Sequence, residues 1–70
     1  MSYKNKNVQI GDTIKIIEMK DEPSYKGRIG KVEFIDAENQ LHGTWGGLAL
    51  IPNEDDFMVI EKGRKTNYQN

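Results

Sequence analysis

Two glycines that lead directly into a run of β-branched and aromatic residues restrict the fold of this chain more than any other feature. Residues 26–35 read Lys-Gly-Arg-Ile-Gly-Lys-Val-Glu-Phe-Ile. Gly27 and Gly30 permit positive φ or a close backbone approach where the chain turns into a sheet, and valine, isoleucine and phenylalanine favour a strand. Because a phosphate-binding loop opens a helix instead, the strand excludes that kind of site here.

Four other short segments have the composition of strands, and turn signals separate them. They span residues 13–19, 41–45, 48–51 and 57–60. Asp36-Ala37-Glu38-Asn39 and Gly46-Gly47 are typical of hairpin turns, Pro52 ends a strand because it has no backbone N–H to donate, and one turn of 3₁₀ helix is expected at residues 53–56. Five strands without any helical periodicity predict an all-β fold, a small five-stranded antiparallel barrel.

The barrel is expected to enclose a small core. A chain of 70 residues buries only about 60% of the surface that its unfolded form exposes. Trp45 is expected to cover one end of the barrel. The other predicted core residues are Ile14, Ile16, Ile29, Val32, Phe34, Leu41, Leu48, Leu50, Phe57 and Val59.

The formal net charge of −1 is unevenly distributed along the chain. We expect a flexible basic arm at residues 1–7, a folded body at residues 8–61 and a disordered basic tail at residues 62–70. The two ends hold five of the ten lysines and arginines and no acid, whereas the body holds the other five against all eleven acids, a formal charge of −6. Because nucleic-acid binding depends on basic side chains at the phosphates, so acidic a body is a poor general surface for DNA or RNA.

The residues that most catalytic and metal sites need are missing from the sequence. It has no cysteine, which excludes disulfides and thiolate chemistry and fits a reducing cytoplasm, and His42 is its one histidine. Glu54, Asp55 and Asp56 lack the ligand spacing and the glycine of a calcium loop, so they are interpreted as a solvated turn. The apolar runs are too short to cross a bilayer. We therefore expect a cytoplasmic protein that is not an enzyme and has no metal, cofactor or membrane contact.

Two parts of the sequence resemble known families. Ile10-Gly11-Asp12-Thr13-Ile14, followed by Lys26-Gly27-Arg28-Ile29-Gly30-Lys31-Val32, resembles the strand-loop-strand unit of KOW-type and other SH3-like barrels. Trp45, Leu48-Ala49-Leu50-Ile51-Pro52, the acidic turn and Phe57-Met58-Val59-Ile60 resemble a domain-of-unknown-function family of short proteins often encoded by phages and mobile elements of Gram-positive bacteria. The resemblance covers residues 10–60. It implies an SH3-like fold and a phage or mobile-element setting, and no activity.

The sequence favours a module that docks a protein partner, because loops on a rigid scaffold often carry binding function. The partner is expected to be basic or proline-rich. Tyr25 is interpreted either as packing back on the barrel or as a contact residue, and Trp45 either as a cover of the barrel end or as an exposed contact. The candidate partner-binding residues are Lys20, Tyr25, Lys26, Arg28, Lys31 and Trp45.

Two alternatives to a protein-docking module stay open at this point. In the first, a KOW-like stripe of bases, helped by the basic ends, touches a nucleic-acid backbone. This stripe consists of Lys15, Lys20, Lys26, Arg28 and Lys31. In the second, the acidic body imitates DNA and inhibits a host defence protein. A monomer or a weak homodimer is expected, since an open barrel edge near residues 8–10 would be able to pair with a second copy.

Overall fold

A computed structural model describes residues 8–63 of the chain. Four strands make up the sheet structure, namely β1 (Thr13–Glu18), β2 (Ile29–Ile35), β3 (Leu41–Gly43) and β4 (Asp56–Glu61). A single 3₁₀ turn (Pro23–Tyr25) interrupts the loop after β1, and no α-helix occurs in residues 8–63. The all-β prediction is therefore confirmed, whereas the predicted arm and all but the first two residues of the predicted tail lie outside the described residues.

The four strands form one antiparallel sheet in the order β3-β2-β1-β4. The central pair places Ile14 opposite Gly30, and β4 returns along the other side of β1 with Phe57 opposite Ile16. Because facing residues of an antiparallel pair point to the same side of the sheet, this register puts Ile14, Ile16 and Phe57 together in the core. All three are fully buried.

The segment at residues 48–51, predicted to be a full strand, contributes a single antiparallel bridge between Leu41 and Leu50. Two backbone hydrogen bonds of 2.8 Å join these residues in both directions. Pro52, which lacks an N–H, follows two residues later and cannot extend the ladder. The sheet is therefore open with four strands, and the five-stranded barrel is not confirmed. The single 3₁₀ turn likewise lies at Pro23–Tyr25 and not at residues 53–56.

The core lies on one face of the sheet and contains most of the predicted residues. Three of the predicted core residues are instead largely exposed: Ile29 at 56%, Phe34 at 56% and Leu48 at 41%. Met19, which was not predicted, is buried. The buried hydrophobic residues are Ile14, Ile16, Met19, Val32, Leu41, Trp45, Leu50 and Phe57, and Val59 is partly buried against them.

A β-bulge explains why Phe34 is exposed. Between the pairs Val32–Gly43 and Phe34–His42, β2 advances two residues while β3 advances one. The extra residue shifts the in-and-out alternation of β2. Consequently Ile35 packs against the core, and Phe34 lies outside with its ring 5.7 Å from that of His42.

Two buried aspartates hold opposite ends of the β1–β4 pair. Asp12 precedes β1 and accepts hydrogen bonds from the backbone amide of Gly63 at 2.7 Å and from the Lys62 ammonium at 2.8 Å, just beyond the end of β4. The Gln9 amide donates to the same carboxylate. The bonded part of the chain thus extends to Gly63, two residues beyond the predicted end of the body.

Asp55 has the corresponding place at the other end of the pair. It precedes β4, and its Oδ1 accepts a 2.9 Å hydrogen bond from the amide of Lys20, just beyond the end of β1. Its Oδ2 accepts a 2.8 Å bond from the Ile51 amide. Asp55 is only 3% exposed, so the interpretation of this residue as part of a solvated turn is wrong.

Candidate functional site

A shallow groove of about 380 Å³ opens at the Asp55 end of the sheet. One wall is the start of the loop after β1, and the other is the connection between Leu48 and Glu54 that precedes β4. The volume is at the lower end of the roughly 300–1,000 Å³ found for small-molecule pockets. The groove therefore has room for one or two side chains.

The lining of the groove has an apolar part, which we call the floor, and an acidic part, which we call the rim. Its apolar lining residues are Met19, Leu48, Ala49 and Ile51, and its polar ones are Lys20, Asp21, Glu22, Gln40, Glu54 and Asp55. The lining therefore contains four carboxylates and a single ammonium group, that of Lys20. Such a surface suits a ligand that is apolar along its length and positively charged at one point.

The two loops that form the groove walls are joined at a corner beside it. Arg28 Nη1 donates a 2.8 Å hydrogen bond to the carbonyl oxygen of Trp45, and its guanidinium carbon lies 4.0 Å from the centre of the Tyr25 ring. Tyr25 and Arg28 both lie against Gly46, because a Cβ built there would be 2.7 Å from the Tyr25 hydroxyl and 2.8 Å from Arg28 Nη1. Three predicted site residues thus meet at this corner.

Within the corner, the two aromatic residues have different environments. The Trp45 ring is buried, at 3% exposure for the residue, and its Nε1 donates to the carbonyl of Leu48 at 2.9 Å. Trp45 is therefore a core residue that covers the sheet, and the interpretation of its ring as an exposed contact is wrong. Tyr25 is half-buried and packs against the core, with part of its ring left at the surface.

The predicted lysines of the site lie on different surfaces. Lys20 lines the groove and uses its backbone amide to bind Asp55, whereas Lys26 is exposed in the turn that follows the 3₁₀ helix. Lys31 faces Thr13, and Lys15 faces Ile29, so these two lysines share the outer face of the sheet. The five bases predicted to form one stripe are thus divided among the groove, the turn after the 3₁₀ helix, the corner and the outer face.

The only histidine of the sequence lies on β3 and contacts the turn before that strand. His42 Nε2 lies 3.0 Å from Asp36 Oδ2, and Asp36 Oδ1 also accepts from the amides of Glu38 and Gln40. The hydrogen bond from His42, together with the amide bonds, lowers the pKa of Asp36 below its ordinary value. Asp36 closes the β2–β3 turn in this way, and Asn39 at φ 64° adopts the left-handed conformation that asparagine tolerates in turns.

The sequence patterns indicated the loop residues but not the groove that they form. Asp21, Glu54 and Leu48 are far apart in sequence and carry no motif. One local signal was available: an aspartate directly before a strand and four residues after Ile51, which allows it to accept the Ile51 amide. Asp55 could have been identified from that spacing, but its bond to Lys20, 35 residues away, depends on the fold.

Comparisons with known proteins give no match from which a function could be inferred, so the function is argued from the geometry of the groove. No helix among residues 8–63 has the length and apolar character needed to cross a membrane. The chain matches no protein-family model, no curated protein and no solved structure.

Proposed function

We propose that this protein is a non-catalytic binding module that docks a protein partner through the groove and the loops beside it. The observation that supports the proposal is the groove itself, whose lining combines four apolar residues with four carboxylates. Leu48 leaves 41% of its surface exposed within it. Protein-binding sites commonly combine an apolar centre with a polar rim of this kind.

The proposal includes an SH3-like barrel as the scaffold. The bridge from Leu41 to Leu50 supports it, since this single antiparallel pairing places a fifth segment beside β3. The resemblance of residues 10–60 to short phage and mobile-element proteins supports a setting of that kind, and the cytoplasmic location stays a prediction.

Selection from a random peptide library displayed on phage tests the function with the full chain as bait. We expect a consensus peptide to be enriched on the wild-type protein and to be lost with Leu48→Ser, which removes apolar floor. Ile60→Ser is the matched control, because Ile60 is 47% exposed and lies on β4 outside the groove. Absence of any enriched consensus, or equal binding by both variants, would contradict the proposal.

A nucleic-acid function has one observation in its favour, the pair Lys15 and Lys31 on the outer face. Glu61 also lies on this face, opposite Thr13, and the body as a whole is acidic. A salt titration with a fluorescent 20-mer of DNA or RNA tests this alternative. Binding that weakens steeply between 50 and 200 mM salt would support it, and no binding at the lower concentration would exclude it.

A further inference from the structure

The charges around the groove identify the chemistry of its occupant. We propose that the groove binds the side chain of a lysine or arginine presented by a partner protein, with the aliphatic part of that side chain on the floor and its charged end at Asp55 and the rim. This inference rests on the proposed docking function and specifies the partner.

The two buried aspartates provide the main argument. Asp12 and Asp55 have equivalent places before β1 and before β4, and each accepts backbone hydrogen bonds from beyond the end of the partner strand. Asp12 Oδ2 also has an ammonium group, that of Lys62, at 2.8 Å. Asp55 accepts only the amides of Lys20 and Ile51, and no lysine or arginine in residues 8–63 forms an ion pair with it.

A buried carboxylate is best stabilised when it is both hydrogen-bonded and paired with a cation, and within the described part of the chain Asp55 has only its two amide hydrogen bonds. Asp55 is 3% exposed and lines the groove, so a cation that enters the groove would reach the edge of its carboxylate. An ammonium or guanidinium group supplied there would give Asp55 the kind of partner that Asp12 has within the chain. The added carboxylates of Asp21, Glu22 and Glu54 favour the same charge.

The floor selects a cation on an aliphatic stem over a small inorganic ion. Met19, Leu48, Ala49 and Ile51 offer methyl and methylene groups along the groove. Lysine and arginine bury their stems on apolar surface while their charged ends stay with polar groups. A volume of about 380 Å³ suits one such side chain with part of the neighbouring peptide.

The test compares two synthetic peptides that differ only at the central side chain. Ac-Ala-Leu-Lys-Leu-Ala-amide carries lysine, and the matched peptide carries norleucine, which keeps the stem and lacks the ammonium group. Each is titrated into the ¹⁵N-labelled full chain and followed by amide chemical shifts. We expect the lysine peptide to bind at least about tenfold more tightly, with shift changes centred on residues 19–22, 48–51 and 54–55.

Charge-removing variants locate the contact. Asp21→Asn and Glu54→Gln are combined, since asparagine tolerates the φ of 64° at position 21 and Glu54 is exposed. The pair is expected to weaken the lysine peptide roughly three- to tenfold and to leave the norleucine peptide unchanged. Glu33→Gln with Glu38→Gln is the control, because it removes the same charge from exposed positions outside the groove.

Each alternative outcome overturns a distinct part of the proposal. Equal affinity for both peptides would show that the groove binds apolar side chains without selecting a charge. The docking function would then be retained, and the proposed lysine or arginine would be rejected. Shift changes away from the groove, or an equal loss in the control pair, would move the site elsewhere. The amide shifts are also measured at several protein concentrations without peptide. If they change with concentration, and if Arg64→Gln combined with Lys65→Gln in the full chain abolishes that change, a second copy of the protein is the occupant. If neither peptide binds, the inference fails, while library selection still tests docking by itself.

Discussion

Trp45 and Gly43 illustrate how single residues determine the packing of this small core. A Cβ built on Gly43 would lie 2.2 Å from the Lys31 carbonyl oxygen and 2.4 Å from the Trp45 ring. The indole therefore rests directly on the backbone of β3, and only glycine leaves room for it. Sequence patterns do not reveal this requirement. Gly43 and Trp45 are two residues apart, so ordinary strand alternation places them side by side on one face. It does not show that the indole lies over Gly43 itself.

We expect Gly43→Ala to destabilise the protein by roughly 1 to 3 kcal/mol, the usual cost of forcing extra volume into a packed core. Gly47→Ala is the matched control, since a Cβ added at Gly47 would meet nothing within 4 Å, and we expect it to change stability by less than about 0.5 kcal/mol. Urea unfolding followed by Trp45 fluorescence measures both. Similar midpoints for the two variants would contradict the packing described for Trp45.

Asp12 is expected to make stability depend on pH. Burial raises the pKa of Asp12, but hydrogen bonds from Gly63, Lys62 and Gln9 and the charge of Lys62 outweigh burial and lower the pKa below its ordinary value. A carboxyl whose pKa is lower when folded stabilises the protein above its unfolded pKa of about 3.9, and this contribution is lost as the pH falls through the folded value.

Asp12→Asn is therefore expected to cost roughly 1.5 to 3 kcal/mol at pH 7, the range for hydrogen bonds to a charged group. The difference from wild type is expected to shrink as the pH falls below the unfolded pKa of about 3.9 and on through the lower pKa of the folded Asp12. Thermal unfolding from pH 2 to pH 7 measures it. Asp21→Asn is the control, because it makes the same change at an exposed position. A constant difference across the whole range would contradict the role of the Asp12 charge.

At the scale of elements, strand positions were largely predictable and the side-chain directions along β2 were not. Runs of β-branched residues identified β1 and β4 to within one residue and located β2 within residues 26–35, because strand propensity and turn residues are local signals. The bulge near Glu33 depends on pairing with β3, and it reversed the expected direction of Phe34. The groove was missed for the same reason, since its walls meet only through the tertiary fold.

The two phenylalanines of the sheet provide a direct test of this bulge. Phe34 is 56% exposed and Phe57 is fully buried. We expect Phe34→Ala to cost about 0.5 to 1.5 kcal/mol, the value of its ring contact with His42, and Phe57→Ala to cost about 3 to 5 kcal/mol. Urea midpoints compare the two variants. A cost for Phe34→Ala as large as that for Phe57→Ala would restore Phe34 to the core and remove the bulge.

At the scale of the whole molecule, the loop after β1 and the connection after β3 form one unit beside the sheet. The two segments meet at the corner formed by Tyr25, Arg28 and Gly46. Elsewhere they line the groove, the first with Asp21 and the second with Leu48. We therefore expect the corner to fix the spacing of the groove walls. Arg28, a predicted contact residue, would then have a positioning role and act on the groove through its hydrogen bond to the Trp45 carbonyl.

Arg28→Met tests that role because it keeps much of the apolar stem and removes the hydrogen bond and the cation–π contact. We expect a loss of stability of roughly 1 to 2 kcal/mol, together with a several-fold weaker affinity for the lysine peptide although residue 28 does not line the groove. Arg28→Lys is expected to restore only part of the loss, since an ammonium can donate to the Trp45 carbonyl but lacks the planar group that lies over the Tyr25 ring. Lys26→Met removes the same charge from an exposed neighbour and is expected to change neither quantity by much. If Arg28→Met and Lys26→Met prove alike in stability and in peptide affinity, charge alone accounts for the effect, and the two groove walls are positioned independently of the corner.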